Sequence, residues 1–83
     1  VKIQLKLFAT LKDYLPPGAA GNQIQLDLED ATSVADLIGR YQLPPKLTHL
    51  VLVNGHYIEP DKRAITLLND GDALAIWPPI AGG

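Results

Sequence analysis

The 83-residue sequence contains no cysteine, which excludes disulfides, thiolate metal sites, iron-sulfur clusters and a cysteine nucleophile on this chain. Positive charge is also sparse: seven Lys and Arg stand against nine Asp and Glu, for a formal net charge of -2. Without clustered cations to neutralise phosphates, nucleic acid is not an expected partner. No run approaches the length and apolarity of a membrane span, and the first residues alternate where a signal peptide would be continuously apolar. The expectation is a cytoplasmic protein with no membrane partner. Phosphate-cradling loops of the P-loop or dinucleotide type are missing, and no nucleophile, base and orienting group assemble into a catalytic set. The chain is therefore expected not to be an enzyme by itself and to hold no cofactor of its own.

What is present is enough apolar surface, 47% of residues, for a single core. Val1, Ile3, Leu5 and Leu7 alternate with Lys2, Gln4 and Lys6, the period of two of a strand that buries one face. A weak helical signal over 9–15 stops at Pro16-Pro17-Gly18, and alternation returns at Ile24, Leu26 and Leu28. Val34, Leu37, Ile38 and Tyr41 follow the spacing of an amphipathic helix behind Ser33, with Asp36 at the capping-box position; Asp is short for that role. The apolar run Leu50 to Val53 predicts a central strand. Asn54-Gly55 then predicts a tight hairpin turn, because both central positions need positive φ. His56 to Ile58 form the return strand, Ile65 to Leu68 a further short ordered piece, Asn69 to Asp72 a turn, and Ala73 to Trp77 the last strand. This order predicts an α+β fold, a mixed sheet of about five strands with one main helix on one face.

Residues 1–77 are expected to form the domain and 78–83 an extended flexible tail, Pro78-Pro79-Ile80-Ala81-Gly82-Gly83. Two prolines end sheet pairing and favour an extended exit. Six extended residues span roughly 20 Å, enough to enter a deep site on another protein. Gly82 and Gly83 carry no side chain, so the tip fits a channel too narrow for other residues. A carboxylate at Gly83 is fully ionised at neutral pH and a poor electrophile. Nothing in the chain activates it, so a partner enzyme must use ATP to form an acyl-adenylate and pass the acyl group to a nucleophile.

The element order, the HLVLVNG stretch from His49 to Gly55, the NDGD turn from Asn69 to Asp72 and the PPIAGG ending resemble the family of the molybdopterin synthase small subunit (MoaD) and the thiamin sulfur carrier (ThiS). The resemblance covers essentially the whole chain. It implies a ubiquitin-like β-grasp fold and a Gly83 that is adenylated by an E1-like adenylyltransferase of the MoeB/ThiF type and becomes a thiocarboxylate. It also implies a sulfur acceptor, a molybdopterin synthase large subunit of the MoaE type in the leading reading. Trp77-Pro78-Pro79 resembles the molybdopterin branch, although Phe is usual there in place of Trp77. Sulfur delivery to thiamin or tRNA thiolation, or a ubiquitin-like modifier forming isopeptides through Gly83, are the alternatives.

Beyond the tail, Trp77 shares parity with Ala73 and Ala75, opposite Leu74 and Ile76. It reads equally as a surface anchor for a partner or as a packed residue. One face of the Leu50 to Val53 run cannot meet the helix, and Val51 and Val53 are the candidate docking residues there. His49 and His56 are too few for zinc, and no metal site is expected. Lys12, Lys46, Lys62, Arg40 and Arg63 read as solvated charges.

Overall fold

Alternation at the start of the chain produces β1, Lys2–Leu7, in which Ile3, Leu5 and Leu7 are buried while Lys2, Gln4 and Lys6 face outward. The computed structural model describes residues 1–79. After β1 a 3-10 turn, Ala9–Tyr14, buries Leu11. β2, Gln23–Asp27, returns antiparallel to β1, turning Ile24 and Leu26 toward the core. The single α-helix, α1, spans Val34–Arg40. It is followed by β3, Leu50–Val53, the two-residue β4, His56–Tyr57, and β5, Ala73–Trp77.

The sheet order is β2-β1-β5-β3-β4. β5, the last strand in sequence, lies between β1 and β3, parallel to β1 and antiparallel to β3. This is the β-grasp arrangement, with Val34 and Leu37 of α1 joining Ile3, Leu5, Leu7, Val51, Leu74 and Ile76 in one core. In the β3–β4 turn Asn54 and Gly55 have φ of 52° and 83°, the positive pair that the Asn-Gly dipeptide supplies with least strain.

Ile65 to Leu68, the short ordered piece, do not join the sheet as a strand: Leu67 makes an isolated bridge to Ser33, and Ile65 and Leu67 remain exposed. Two sequence expectations change. Arg63 is not a solvated charge but is buried, donating to the carbonyls of Thr48, Ile58 and His49. The second concerns Val51, which is 0% exposed, and Val53, which packs against the core from the same face. Both point toward the helix, because Val51 stands opposite Ile76 and Val53 opposite Leu74 in register. The outward residues of β3 are Leu50 and Leu52.

Despite its short side chain, Asp36 closes the capping box. Its amide donates to Ser33 Oγ at 3.0 Å, and its carboxylate accepts from the Ser33 amide at 3.1 Å. The hydrogen bonds from the Ser33 backbone and hydroxyl, aided by the charge of Arg40, hold the Asp36 carboxyl below its usual value. Because the folded value is the lower one, stability from Asp36 is complete above the unfolded-chain pKa of about 3.9 and vanishes as pH falls through the folded value. Ser33→Ala is expected to cost about 1 kcal/mol in urea unfolding at pH 7. Asp36→Ala is expected to destabilise at pH 7 and to be nearly neutral once the carboxyl is protonated in acid; an equal loss at both pH values would contradict the capping role.

Candidate functional site

β5 links two ends of the sheet that are held in different ways. Its start is tied down by the NDGD turn: the Asp72 carboxylate accepts from Asn54 Nδ2 at 2.8 Å and from the Asn69 amide at 2.8 Å. Asn54 Oδ1 accepts from the Ala73 amide, and the Lys2 amide donates to Asp70 Oδ1. The Asn of the β3–β4 turn and the last Asp of NDGD therefore form one clamp that joins β1, β3 and β5. The clamp sits at the opposite end of β5 from the tail and has a structural role.

At the other end, the carbonyl of Ile76 accepts from the Phe8 amide and that of Trp77 from the His49 amide, both at 3.1 Å. The last two carbonyls of β5 are thus held from β1's side and from β3's side. Pairing then stops, since Pro78 and Pro79 have no amide proton to offer. Pro78 is half-buried and Pro79 exposed. The remaining predicted residues of this site, Ile80, Ala81, Gly82 and Gly83, lie outside the described residues.

Trp77 is half-buried and packed within the fold. One ring face stacks on Phe8, with centroids 4.1 Å apart and planes at 6°, a contact worth about 0.5–1.5 kcal/mol beyond its area. Phe8 continues the outward parity of Lys2, Gln4 and Lys6. Directly after it the chain turns away through Ala9 at φ 55°, a left-handed value that a non-glycine residue holds only against strain.

The outer sheet face is divided. Its β1–β2 half presents Lys2, Gln4, Lys6, Gln23 and Gln25, whereas its β5–β3–β4 half presents Ala73, Ala75, Trp77, Leu50, Leu52 and Tyr57. Leu50 is 37% and Tyr57 52% exposed. In register, Leu50 is opposite Trp77 and Leu52 is opposite both Ala75 and Tyr57, which makes the apolar half continuous up to the base of the tail. Contiguous apolar surface of this kind is a candidate interaction site. Phe8, Leu50, Leu52 and Tyr57 were not legible as site residues, because a continuous apolar run has no parity signal and the β1–β5 pairing is remote in sequence.

Among the described residues no group of three or more His, Asp or Glu side chains converges to hold a metal. His56 pairs with Val53 and His49 lies at the tail end of β3. No helix of the described residues is long and apolar enough to cross a membrane.

Comparison with known proteins places these features in context. The sequence profile of the ThiS family matches residues 5–83. No curated protein sequence matches significantly. Among solved structures, the chain is similar to the HVO 2177 protein of Haloferax volcanii, with 27% identity, a TM-score of 0.74, and coverage of 99% of this chain and 86% of that one. The small archaeal modifier protein 1 of Methanosarcina acetivorans is 25% identical, with a TM-score of 0.64 and coverage of 99% and 96%. Subunits 1 and 2 of the molybdopterin-converting factor of Helicobacter pylori have been solved as a complex; the similarity there is 20% identity, a TM-score of 0.60 and full coverage of both chains.

Proposed function

Because the chain belongs to the ThiS family, we propose that it is a sulfur carrier whose Gly83 provides the C-terminal carboxylate. The chain is substrate and donor; a partner enzyme supplies the catalysis. A carboxylate oxygen of Gly83 attacks the α-phosphate of ATP on an E1-like enzyme, and pyrophosphate leaves. A sulfide-level donor then attacks the acyl carbon of the adenylate, AMP leaves, and a thiocarboxylate remains.

The observation that carries this reading is the apolar half of the outer sheet face, which runs without a break to Trp77 at the base of the Pro-Pro exit. Docking by a rigid face and insertion of a thin tail separate binding from chemistry. Trp77, Pro78 and Pro79, with Leu50, Leu52 and Tyr57, form the docking surface, and Ile80 and Ala81 lead Gly82 and Gly83 into the partner's site. Val51 and Val53 support this face from beneath, on the core side of β3.

For the acceptor we favour a molybdopterin synthase large subunit, on the Trp77-Pro78-Pro79 lead-in and on the complex of two molybdopterin-converting subunits known for the Helicobacter pylori protein. The modifier reading draws on the similarity to a small archaeal modifier protein. One experiment separates them: thiocarboxylated chain is mixed with a molybdopterin synthase large subunit and its pterin precursor. Sulfur loss from Gly83 and dithiolene formation support the carrier. Isopeptide bonds between Gly83 and lysines in cells, with no sulfur transfer in this assay, would support the modifier.

A further inference from the structure

Arg63 is the only charged side chain that the fold buries among the described residues. Its hydrogen-bond partners there are all backbone carbonyls: Nη1 to Thr48 at 2.8 Å, with longer bonds from Nε to Ile58 and Nη2 to His49, both 3.4 Å. A cation buried without a carboxylate recovers less of its lost hydration than a paired one, and an apolar residue could fill the same space. What an apolar residue could not do is fix the direction of three carbonyls, which the planar guanidinium fork does.

The shortest of these bonds falls on a peptide group that matters for the tail. Thr48 O and His49 N belong to the same peptide plane. Arg63 holds its oxygen edge, and its nitrogen edge donates to the carbonyl of Trp77 at 3.1 Å. That carbonyl belongs in turn to the Trp77–Pro78 peptide, the first of the tail. Donation to Thr48 O also strengthens the His49 N–H as a donor, because bonds in series polarise one another. At its other side Arg63 is anchored by its own carbonyl, which accepts from the Ala35 amide in the first turn of α1 at 2.9 Å.

The geometry points to Arg63 as a positioning residue for activation of the tail: its guanidinium sets the Thr48–His49 peptide, and through it the direction in which Pro78 leaves the sheet. The assignment rests on the carrier reading for its functional part. A tail tip at the end of a long lever is sensitive to the angle at its base, and misplacement of a reacting group by about 1 Å costs on the order of 100-fold in rate.

Two variants, Arg63→Met and Arg63→Lys, test this by amide hydrogen exchange and by adenylation kinetics with the E1-like enzyme. In Arg63→Met the His49 amide is expected to exchange at least about tenfold faster while Phe8, bonded to the neighbouring carbonyl of β5, stays protected. Adenylation should lose at least about tenfold in kcat with KM for the carrier unchanged. Arg63→Lys, which keeps one donor and the charge, should recover part of both losses. Uniform acceleration of all amides, an unchanged His49, or a rise in KM at constant kcat would overturn the assignment. If the unaltered chain is not adenylated at all, the carrier reading fails, and the exchange data still decide whether Arg63 fixes the base of the tail.

Discussion

A chain lacking Gly83 is expected to dock on its activating enzyme with unchanged affinity and to be adenylated at least about 100-fold more slowly. The truncated chain still ends in a glycine carboxylate, so the chemical group is not what has been lost. It has moved. One residue of extended backbone is about 3.3–3.6 Å, several times the displacement that removes in-line attack on a phosphate. The base of the tail cannot move forward to compensate, because the Ile76 and Trp77 carbonyls are held by Phe8 and His49 and Trp77 is stacked on Phe8. Gly82→Val should act similarly for a different reason, since a branched side chain would enter a channel shaped for bare backbone. Binding by isothermal calorimetry and pyrophosphate release measured on the same samples separate the two effects. A parallel fall in affinity would mean that the tail is itself the main docking element.

The second large effect concerns neighbouring residues of β3 that face opposite ways. Val51→Lys is expected to unfold the domain. Val51 is fully buried opposite Ile76, and an unpaired buried charge costs several kcal/mol, a large part of the roughly 5–15 kcal/mol that holds a domain together. Leu52→Lys places the same side chain on the outer face between Ala75 and Tyr57, where its ammonium reaches water. Its circular dichroism and melting should stay close to those of the parent chain. Its affinity for the activating enzyme should fall by roughly 30-fold, the equivalent of a hot spot of about 2 kcal/mol. Native affinity in both Leu52→Lys and Trp77→Ala would remove the outer face as the docking surface.

This pair also shows where sequence reasoning ran out. β1, β2 and β5 were legible because they alternate and each buries one face. In Leu50-Val51-Leu52-Val53 every residue is apolar, so periodicity identifies a strand without saying which residues face the helix. The register with β5, a remote contact, decides it. The Asn54-Gly55 turn and the Ser33 cap were legible since each is a local event within four residues. The burial of Arg63 is hidden from the sequence for a different reason. A charged residue in a polar stretch reads as solvated, and only the convergence of Thr48, His49 and Ile58 around it creates a site that takes it in. The Phe8–Trp77 stack likewise depends on the parallel β1–β5 pairing, which joins opposite ends of the chain.

The proposed tail chemistry rests on residue types alone: two prolines to end pairing, two glycines to pass a narrow channel and no internal means of activation. The fold adds the base on which that tail stands. It also separates the Asn54–Asp72 clamp, which fixes the start of β5, from the aromatic end where the proposed docking face and the Pro-Pro exit meet. Of the stretches that carried the family resemblance, NDGD lies at the clamp, whereas HLVLVNG runs from the aromatic end to it.

The most direct test of the carrier reading is intact-mass spectrometry of the chain after incubation with ATP, a sulfur source and the E1-like enzyme of its host. The account predicts that one oxygen is replaced by one sulfur, located at Gly83 by fragmentation, and that the change is absent without ATP. An unchanged mass with every E1-like enzyme the host encodes would contradict it and leave the outer sheet face, without the tail, as the working surface of the protein.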